Sequence, residues 1–477
     1  MSKAEQAVLG WGDLLRSGHF ARLALICTGV WLHAADALMV ATLIPSILAD
    51  IGGAALVAWT IALYEIGSIA AGAASALLSL RYGLQRVMTL AALLYGAGCI
   101  ISALAPDMPV MLAGRLFQGL GGGGLMALAF VAINRLFPRE HMPRVMAVLS
   151  ILWGASAFSG PLVGGVFAEL GIWRGGFWFF AIQAFALSVW IFLGLRDQKR
   201  GEENHEGRIP VWRLLVLSSG VVCIAAAGIE VSPIRSPLLV VLGTAILAVF
   251  LRMDSRRHAN RLLPLRPLDP RHGVGAALLM IFCFTASTIA ISAYGPVLMV
   301  ILFDSSALVA GYILALSAIS WTVAAVVTSG APERRDPWLI MTGMIVLTVS
   351  IVGFLYAIPN GPLPLIAVIA VIEGAGFGMA WTFILRRATA IAAEEDKDRI
   401  ASAMPTIQRL GYAVGAAYVG ILANAAGFAD DTVPEIARSV GFWIFAGTLP
   451  FAVVGLAAAW AFVRADTTAA RQGGSAA

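Results

Sequence analysis

Three carboxylates, Asp36, Glu65 and Glu373, stand midway along extended apolar runs of the chain. Insertion scales put a charge at such a place at ~2.5–3.5 kcal/mol, so residues of this kind usually face a polar interior and serve function. The chemistry open to them is loading and releasing protons, or holding the charge of a substrate. Asp36 shares a helix face with His33, three residues back, and Glu65 shares one with Ser68. Arg115 lies inside another run, with Gln118, Gly119 and Gly122 following at i+3, i+4 and i+7 on one face. A fixed guanidinium there can pair with a carboxylate, which suits a proton-coupled cycle. It is the expected electrostatic partner of the three acids. Arg409, beside Gly411 and Gly415, reads first as structural, and Glu230 lies where it can reach headgroups. Tyr64 and Tyr294 are expected to line a cavity together with His33 and Gln118.

The elements that must position these residues follow from composition. The chain has 477 residues, 60% of them hydrophobic and 12% charged, with mean hydropathy +0.87. An average globular chain is about 25% charged. A secreted enzyme, a disordered hub and a nucleic-acid reader are therefore excluded, and a multi-pass protein of the cell membrane is expected. Apolar runs fall near 22–48, 54–80, 84–105, 108–134, 145–170, 175–195, 210–229, 236–251, 273–303, 306–329, 337–357, 362–385, 402–427 and 440–463. Fourteen transmembrane helices are expected, since backbone groups in lipid must be satisfied within the segment. A barrel is excluded because the runs are continuous rather than alternating. The net charge of +5 and pI near 9.2 reflect short basic loops. With the N-terminus inside, 27 of the 32 Lys and Arg fall on inner segments, so both termini are expected in the cytoplasm. The N-terminal stretch carries no apolar core followed by a small-residue cleavage site, so no removed signal peptide is expected.

Polar stretches at 196–208 and 252–261 divide the chain into six, two and six helices. The expected units are an N-terminal bundle at 1–200, a cytoplasmic loop with two additional helices at 201–260, and a C-terminal bundle with a short tail at 261–477. The two bundles share an offset of 255 residues. Gln118-Gly119-Leu120-Gly121-Gly122-Gly123 aligns with Glu373-Gly374-Ala375-Gly376-Phe377-Gly378, and Gly160 and Gly165 align with Gly415 and Gly420. Parallel repeats around a central path are a transporter architecture. In the fifth run, Ser156, Gly160 and Gly164 form a small-residue stripe for close helix approach. Pro161 removes a backbone hydrogen bond and bends that helix. A smooth contact surface suited to rocking is one reading; tight packing with no moving part is the other. The four cysteines stand singly, without metal-ligand spacing, and read as small buried hydrophobes.

These residues also carry a family likeness. Arg115-Leu-Phe-Gln118-Gly119-Leu-Gly121 resembles the fourth-helix motif of the major facilitator superfamily. Gly160-Pro161-Leu-Val-Gly164-Gly165 is similar to its fifth-helix antiporter motif, followed by Trp173-Arg174 as in drug:proton antiporters. Asp36…Pro45, two inserted helices and Leu262-Leu263-Pro264-Leu265 resemble the fourteen-span branch of that group. The loop between the second and third helices departs from the family pattern: Ala76 and Leu80 stand for its glycine and acid, while Arg81, Gly83 and Arg86 remain as a turn and inner anchor. The resemblance implies secondary active transport, with export of a small amphipathic compound against inward protons. The protein would use a proton gradient and no cofactor or metal, act on a small-molecule substrate rather than nucleic acid, and work as a monomer. An uptake symporter and a non-transporting membrane sensor are the alternatives. An enzyme is not expected, since no metal cluster, nucleophile elbow or phosphate loop occurs.

Overall fold

Backbone amides within apolar runs find partners inside their own segment, and each of the fourteen runs becomes a helix. The computed structural model describes residues 19–137, 141–195, 209–256, 261–392 and 396–465. The polar stretch 196–208 and most of the N-terminal leader lie outside the described residues. The helices are α1 (His19–Ile51), α2 (Trp59–Tyr82), α3 (Leu84–Ala103), α4 (Met108–Leu136), α5 (Met142–Glu169), α6 (Arg174–Gly194) and α7 (Val211–Ala226). They continue as α8 (Arg235–Ser255), α9 (Gly273–Phe303), α10 (Ala307–Thr328), α11 (Asp336–Asn360), α12 (Leu363–Ile391), α13 (Lys397–Ala425) and α14 (Pro434–Arg464). Among the described residues no strand occurs. Twelve of the helices are long and apolar enough to cross a membrane. The other two are α7, with 16 residues, and α13, which carries Arg399 and Arg409.

Turn chemistry sets the helix boundaries. Asp107 Oδ1 accepts the Val110 amide at 3.0 Å and starts α4, and Ser306 accepts the Val309 amide at 3.3 Å to start α10. Gly83, at φ 93°, occupies the left-handed side of backbone space and hands α2 directly to α3. Arg81 lies over the Tyr82 ring at 5.4 Å and Arg86 is exposed, so this anchor sits at a helix end remote from the acids. Leu80, standing where the family has an acid, is 41% exposed. The corresponding loop between α10 and α11 is built differently. There Arg386 of α12 donates to both Asp336 carboxylate oxygens and, at 3.1 Å, to the Ala331 carbonyl.

Helix pairing repeats along the chain. In the first half α4 packs on α2 and α3, α3 on α6, and α1 on α5. In the second half α12 packs on α10 and α11, α11 on α14, and α9 on α13. The glycine register explains the match. A methyl at Gly119 would fall on the Tyr64 carbonyl, and one at Gly374 on the Ser317 carbonyl. Gly123 and Gly378 meet Ser68 and Trp321 in the same way. Each half thus lets its glycine-rich helix approach the backbone of its neighbour at equivalent places.

The halves meet where α5 faces α10, α2 faces α13, and α1 faces α9 and α10. The fifth-helix motif serves two contacts. Cβ atoms at Gly160 and Gly164 would lie 2.7 Å from the Ala35 and Met39 carbonyls of α1, whereas Gly165 faces Leu308 across the interface. Pro161 is buried against Gly311, and α5 stays helical through it. The Asn424 amide donates to the Ala55 carbonyl at 2.8 Å and the Gly228 carbonyl at 2.7 Å, joining α13 to the starts of both α2 and the α7–α8 connection. Asp50, at the end of α1, accepts from Trp173 Nε1 at 3.0 Å and from Arg174. The α7–α8 hairpin is pinned by Asp254, which accepts from Arg213 and from the Leu262 and Leu263 amides.

The close approach at Gly119 yields a stability expectation. Gly119→Val should destabilise the folded protein by roughly 1–3 kcal/mol or prevent folding, because backbone rather than a flexible side chain must yield. Gly72→Ala, where nothing lies within 4 Å, should be neutral or stabilising. Thermal melts of the purified proteins followed by size exclusion compare the two, and equal melting points would contradict this packing.

Candidate functional site

Helix α1 presents His33 and Asp36 on the face turned to α2, α3 and α4. Asp36 is 0% exposed. Its Oδ2 accepts from Arg115 Nη1 at 2.6 Å and its Oδ1 from the Tyr95 hydroxyl at 3.1 Å. Arg115 also donates through Nη1 to Gln118 Oε1 and, through Nε at 3.2 Å, to the Thr60 carbonyl. Its guanidinium lies 4.3 Å from the centroid of the Tyr64 ring, a cation–π contact. Gln118 Nε2 continues to Ser102 Oγ at 3.3 Å. The pair is thus hydrogen-bonded on both sides, as a buried charge requires.

A second cluster crosses between halves. Arg409 of α13 donates through Nη1 to Glu65 Oε2 at 3.0 Å, and its Nη2 lies 2.8 Å from His33 Nε2. A guanidinium has donors and no acceptor, so His33 Nε2 must accept. The imidazole is then neutral with its hydrogen on Nδ1, which donates to the Tyr64 hydroxyl oxygen at 2.7 Å. The Tyr64 hydroxyl hydrogen turns in its own right to the His33 carbonyl at 3.3 Å. Arg409 therefore holds one carboxylate and one histidine tautomer at once.

Glu373 is placed otherwise. Ser317 Oγ donates to its Oε2 at 2.9 Å, and no cation lies within ion-pair distance among the described residues. Between the halves lies a cavity of about 250 Å³. Ala37 and Ala41 of α1, Tyr64 and Glu65 of α2, and Arg115 form part of its first-half wall. Thr288 and Ser292 of α9, Ser317 and Trp321 of α10, Glu373 and Phe377 of α12, and Tyr412 of α13 line the second.

The sequence expectations divide on this geometry. Tyr64 lines the cavity, but His33 and Gln118 stand behind its wall, turned toward Arg409 and Arg115. Tyr294 does not line it either. Helix α9 turns Thr288 and Ser292 inward, which carries Tyr294 to another face, where it packs edge-on against Phe428 at 5.3 Å. Arg115 pairs with Asp36 rather than with all three acids, because Glu65 is taken by Arg409 and Glu373 lies on the opposite half. Ser68 packs at Gly123 and its hydroxyl has no partner, so it does not serve Glu65. Arg409, read first as structural, has its contacts in the other half of the protein, with Glu65 and His33. Glu230 pairs with Arg235 at 3.0 Å on the surface. Tyr95, Trp321 and Tyr412 were missed.

Comparison with known proteins places the chain in a family. The family model described as Major Facilitator Superfamily matches residues 26–347. The chain belongs to the Major Facilitator Superfamily. It is accordingly a membrane transporter and not an enzyme, a multi-pass protein of the plasma membrane. A relative named "Probable multidrug-efflux transporter" from Mycobacterium tuberculosis is 29% identical over 445 residues, 89% of this chain and 92% of its own. The riboflavin transporter RibZ of Clostridioides difficile is 23% identical, covering 83% of this chain and 86% of its own. Among solved structures, a bacterial homolog of the human lysosomal transporter Spinster superposes with TM-score 0.66 at 12% identity, over 95% of this chain and 98% of that one. A D-xylose-proton symporter gives TM-score 0.61 at 15% identity, over 90% and 97%. These two share the superfamily fold.

The buried pair can be tested by a double-mutant cycle. Asp36→Asn leaves Arg115 without its counter-charge and should cost about 3–5 kcal/mol. Combining it with Arg115→Gln should cost clearly less than the sum of the single changes. Additive losses in thermal unfolding would show that the two do not act as a pair.

Proposed function

We propose that this superfamily member is a proton-coupled antiporter that exports a small amphipathic compound by alternating access, driven by the proton gradient without a cofactor. The observation that carries the reading is a cavity shared by the two halves that places the carboxyls of Glu65 and Glu373 in a mostly apolar wall, beside the ion pair of Arg409 with Glu65 that joins the halves. Antiport needs protons and substrate to compete for the same charge. Carboxyls in a cavity meet that need, because an isolated carboxylate in a bilayer costs several kcal/mol that either a proton or a cationic substrate relieves. Alternating access needs an interface that can open. The Arg409 contacts and the Asn424 tie are polar, while at the α5–α10 seam Gly165 meets Leu308, Gly311 meets Pro161 and Phe158 packs on Tyr312.

In this reading the rocking units are residues 1–200 and 261–477, with 201–260 supplying the two additional helices. All fourteen helices span the bilayer, with both termini in the cytoplasm, and the monomer is the working unit. The basic loops support that orientation, and the multidrug-efflux relative supports the direction of transport.

Purified protein in proteoliposomes, given an inside-acid pH gradient and a panel of fluorescent amphipathic dyes, should concentrate at least one dye. Dye accumulation that continues unchanged in the combined variant Asp36→Asn, Glu65→Gln and Glu373→Gln would sink the coupling. Direction has a separate readout: cells expressing the protein should retain less dye than controls, and greater retention would make it an uptake carrier. A reporter fused at the C-terminus should be active on the cytoplasmic side.

A further inference from the structure

The α7–α8 hairpin lies across the seam rather than beside one half, since α7 packs on α13 and on α2 alike. Its turn meets α13 where that helix finishes, the outer end in the orientation proposed above. A methyl at Gly228 would stand 3.1 Å from the Ile421 amide nitrogen, so the turn rests on the backbone of α13. Ser236 Oγ donates to the Ala227 carbonyl at 2.7 Å and accepts the Ser232 amide at 3.1 Å, which fixes the turn beside Gly228. From the other side the short turn Ala54–Leu56, between α1 and α2, brings in the first half. Asn424 stands between the two turns, 7% exposed. The two hydrogens of its amide go to different units, one to the Ala55 carbonyl at 2.8 Å and one to the Gly228 carbonyl at 2.7 Å. Its Oδ1 is buried without a partner among the described residues, and so is the Tyr294 hydroxyl. Both groups lie along one face of α13. The Tyr294 hydroxyl is 3.8 Å from where a Gly420 methyl would stand, one turn before Asn424, and its ring packs on Phe428, four residues after it.

We propose that the α7–α8 hairpin is a clasp on the outer end of the transport path, and that Asn424 is the positioning residue that closes it. The clasp rests on the alternating-access reading above. With its hydrogens on Ala55 and Gly228, one amide holds first half, hairpin and second half at a single point. Closure therefore depends on the hairpin as well as on the two bundles. The shut state is also left incomplete, because a buried acceptor and a buried donor without partners are each unfavourable. When α13 draws away from the two turns, Asn424 is released to turn its Oδ1 to the Tyr294 hydroxyl, which satisfies both. The carbonyls it leaves belong to turns, where water takes over once the seam parts. Asn424 thus has partners in either state: two carbonyls across the seam when shut, one hydroxyl of its own half when open. All of these bonds are neutral, so the two states stay close in free energy and a small bias moves the population from one to the other.

The test reads the width of the outer end in the full-length protein, by spin-label distance measurement. Labels go on Ile172→Cys, between α5 and α6, and Asp430→Cys, between α13 and α14, both exposed, with the four native cysteines replaced by alanine. The labelled parent should show the shorter distance as its main population. Asn424→Leu keeps the size and removes the amide. It should raise the ratio of open to shut at least about fivefold, two shut-state bonds being lost against one open-state bond. Gly228→Ala presses the hairpin turn off α13 and leaves Asn424 and Ala55 in place, and should shift the ratio the same way. Adding Tyr294→Phe to Gly228→Ala should pull the ratio back by about threefold to fivefold, since the open state loses its hydroxyl. Adding it to Asn424→Leu should change nothing, whereas mere repacking around the ring would act in both backgrounds. Should Asn424→Leu fail to fold, the pair of Gly228→Ala variants carries the test alone. An unchanged ratio in Asn424→Leu or in Gly228→Ala, or a Tyr294→Phe effect equal in both backgrounds, would each overturn the clasp. These shifts without gradient-driven dye flux by the wild type would instead leave the clasp standing and defeat the antiport reading.

Discussion

A guanidinium placed inside a bilayer has to be answered, and the arrangement of this protein depends on how Arg115 is answered. Its partner Asp36 lies on a different helix, 79 residues away in the chain. Around the pair, Tyr95 brings in α3, Thr60 brings in α2 and Gln118 continues to Ser102. Four helices are therefore oriented by one ion pair and its hydrogen bonds. Lipid is as apolar as the helices' own side chains, so their orientation rests on close packing at glycines such as Gly119 and on polar contacts such as these. Together they set which residues of α1 and α2 face the second half.

Arg409 applies the same constraint across the interface with a different consequence. A bridge within one half can stay closed throughout a transport cycle. In the alternating-access cycle proposed above, a bridge between halves has to open, and on opening Glu65 and His33 would both lose a partner. The freed carboxylate then has a choice of a proton, a substrate or water. The tautomer logic adds a condition: a proton arriving on His33 Nε2 would confront the guanidinium with a second donor, so protonated His33 and docked Arg409 exclude each other. In the antiport proposed above, proton uptake and separation of the halves would meet at one atom.

Much of this was legible from residue types and spacing. The bilayer makes charges costly, so Asp36, Glu65, Glu373 and Arg115 stood out against an apolar background, and the fourteen runs matched helices to within a few residues. Glycine spacing exposed the repeat, because small residues mark places where backbones touch. Partner choice was harder. Arg409 and Glu65 are 344 residues apart, and positions along a single helix do not say which distant helix its face will meet. Tyr294 failed for a different reason: Thr288 and Ser292, one turn apart, mark the cavity side of α9, and Tyr294 lies off that stripe. Trp321 was one of 13 tryptophans in a protein where most aromatics contact lipid.

The connection between α10 and α11 carries the Arg386–Asp336 bridge, whereas the one between α2 and α3 is Gly83 followed directly by a new helix. The helix pairing repeats between the halves, but the two elbows are held by different chemistry. One is tied by charge to the neighbouring α12, and at the other Gln85, two residues past Gly83, donates to the Phe192 carbonyl of α6. Salt weakens a partly exposed ion pair far more than a neutral hydrogen bond, so ionic strength acts on the two halves of this protein unequally.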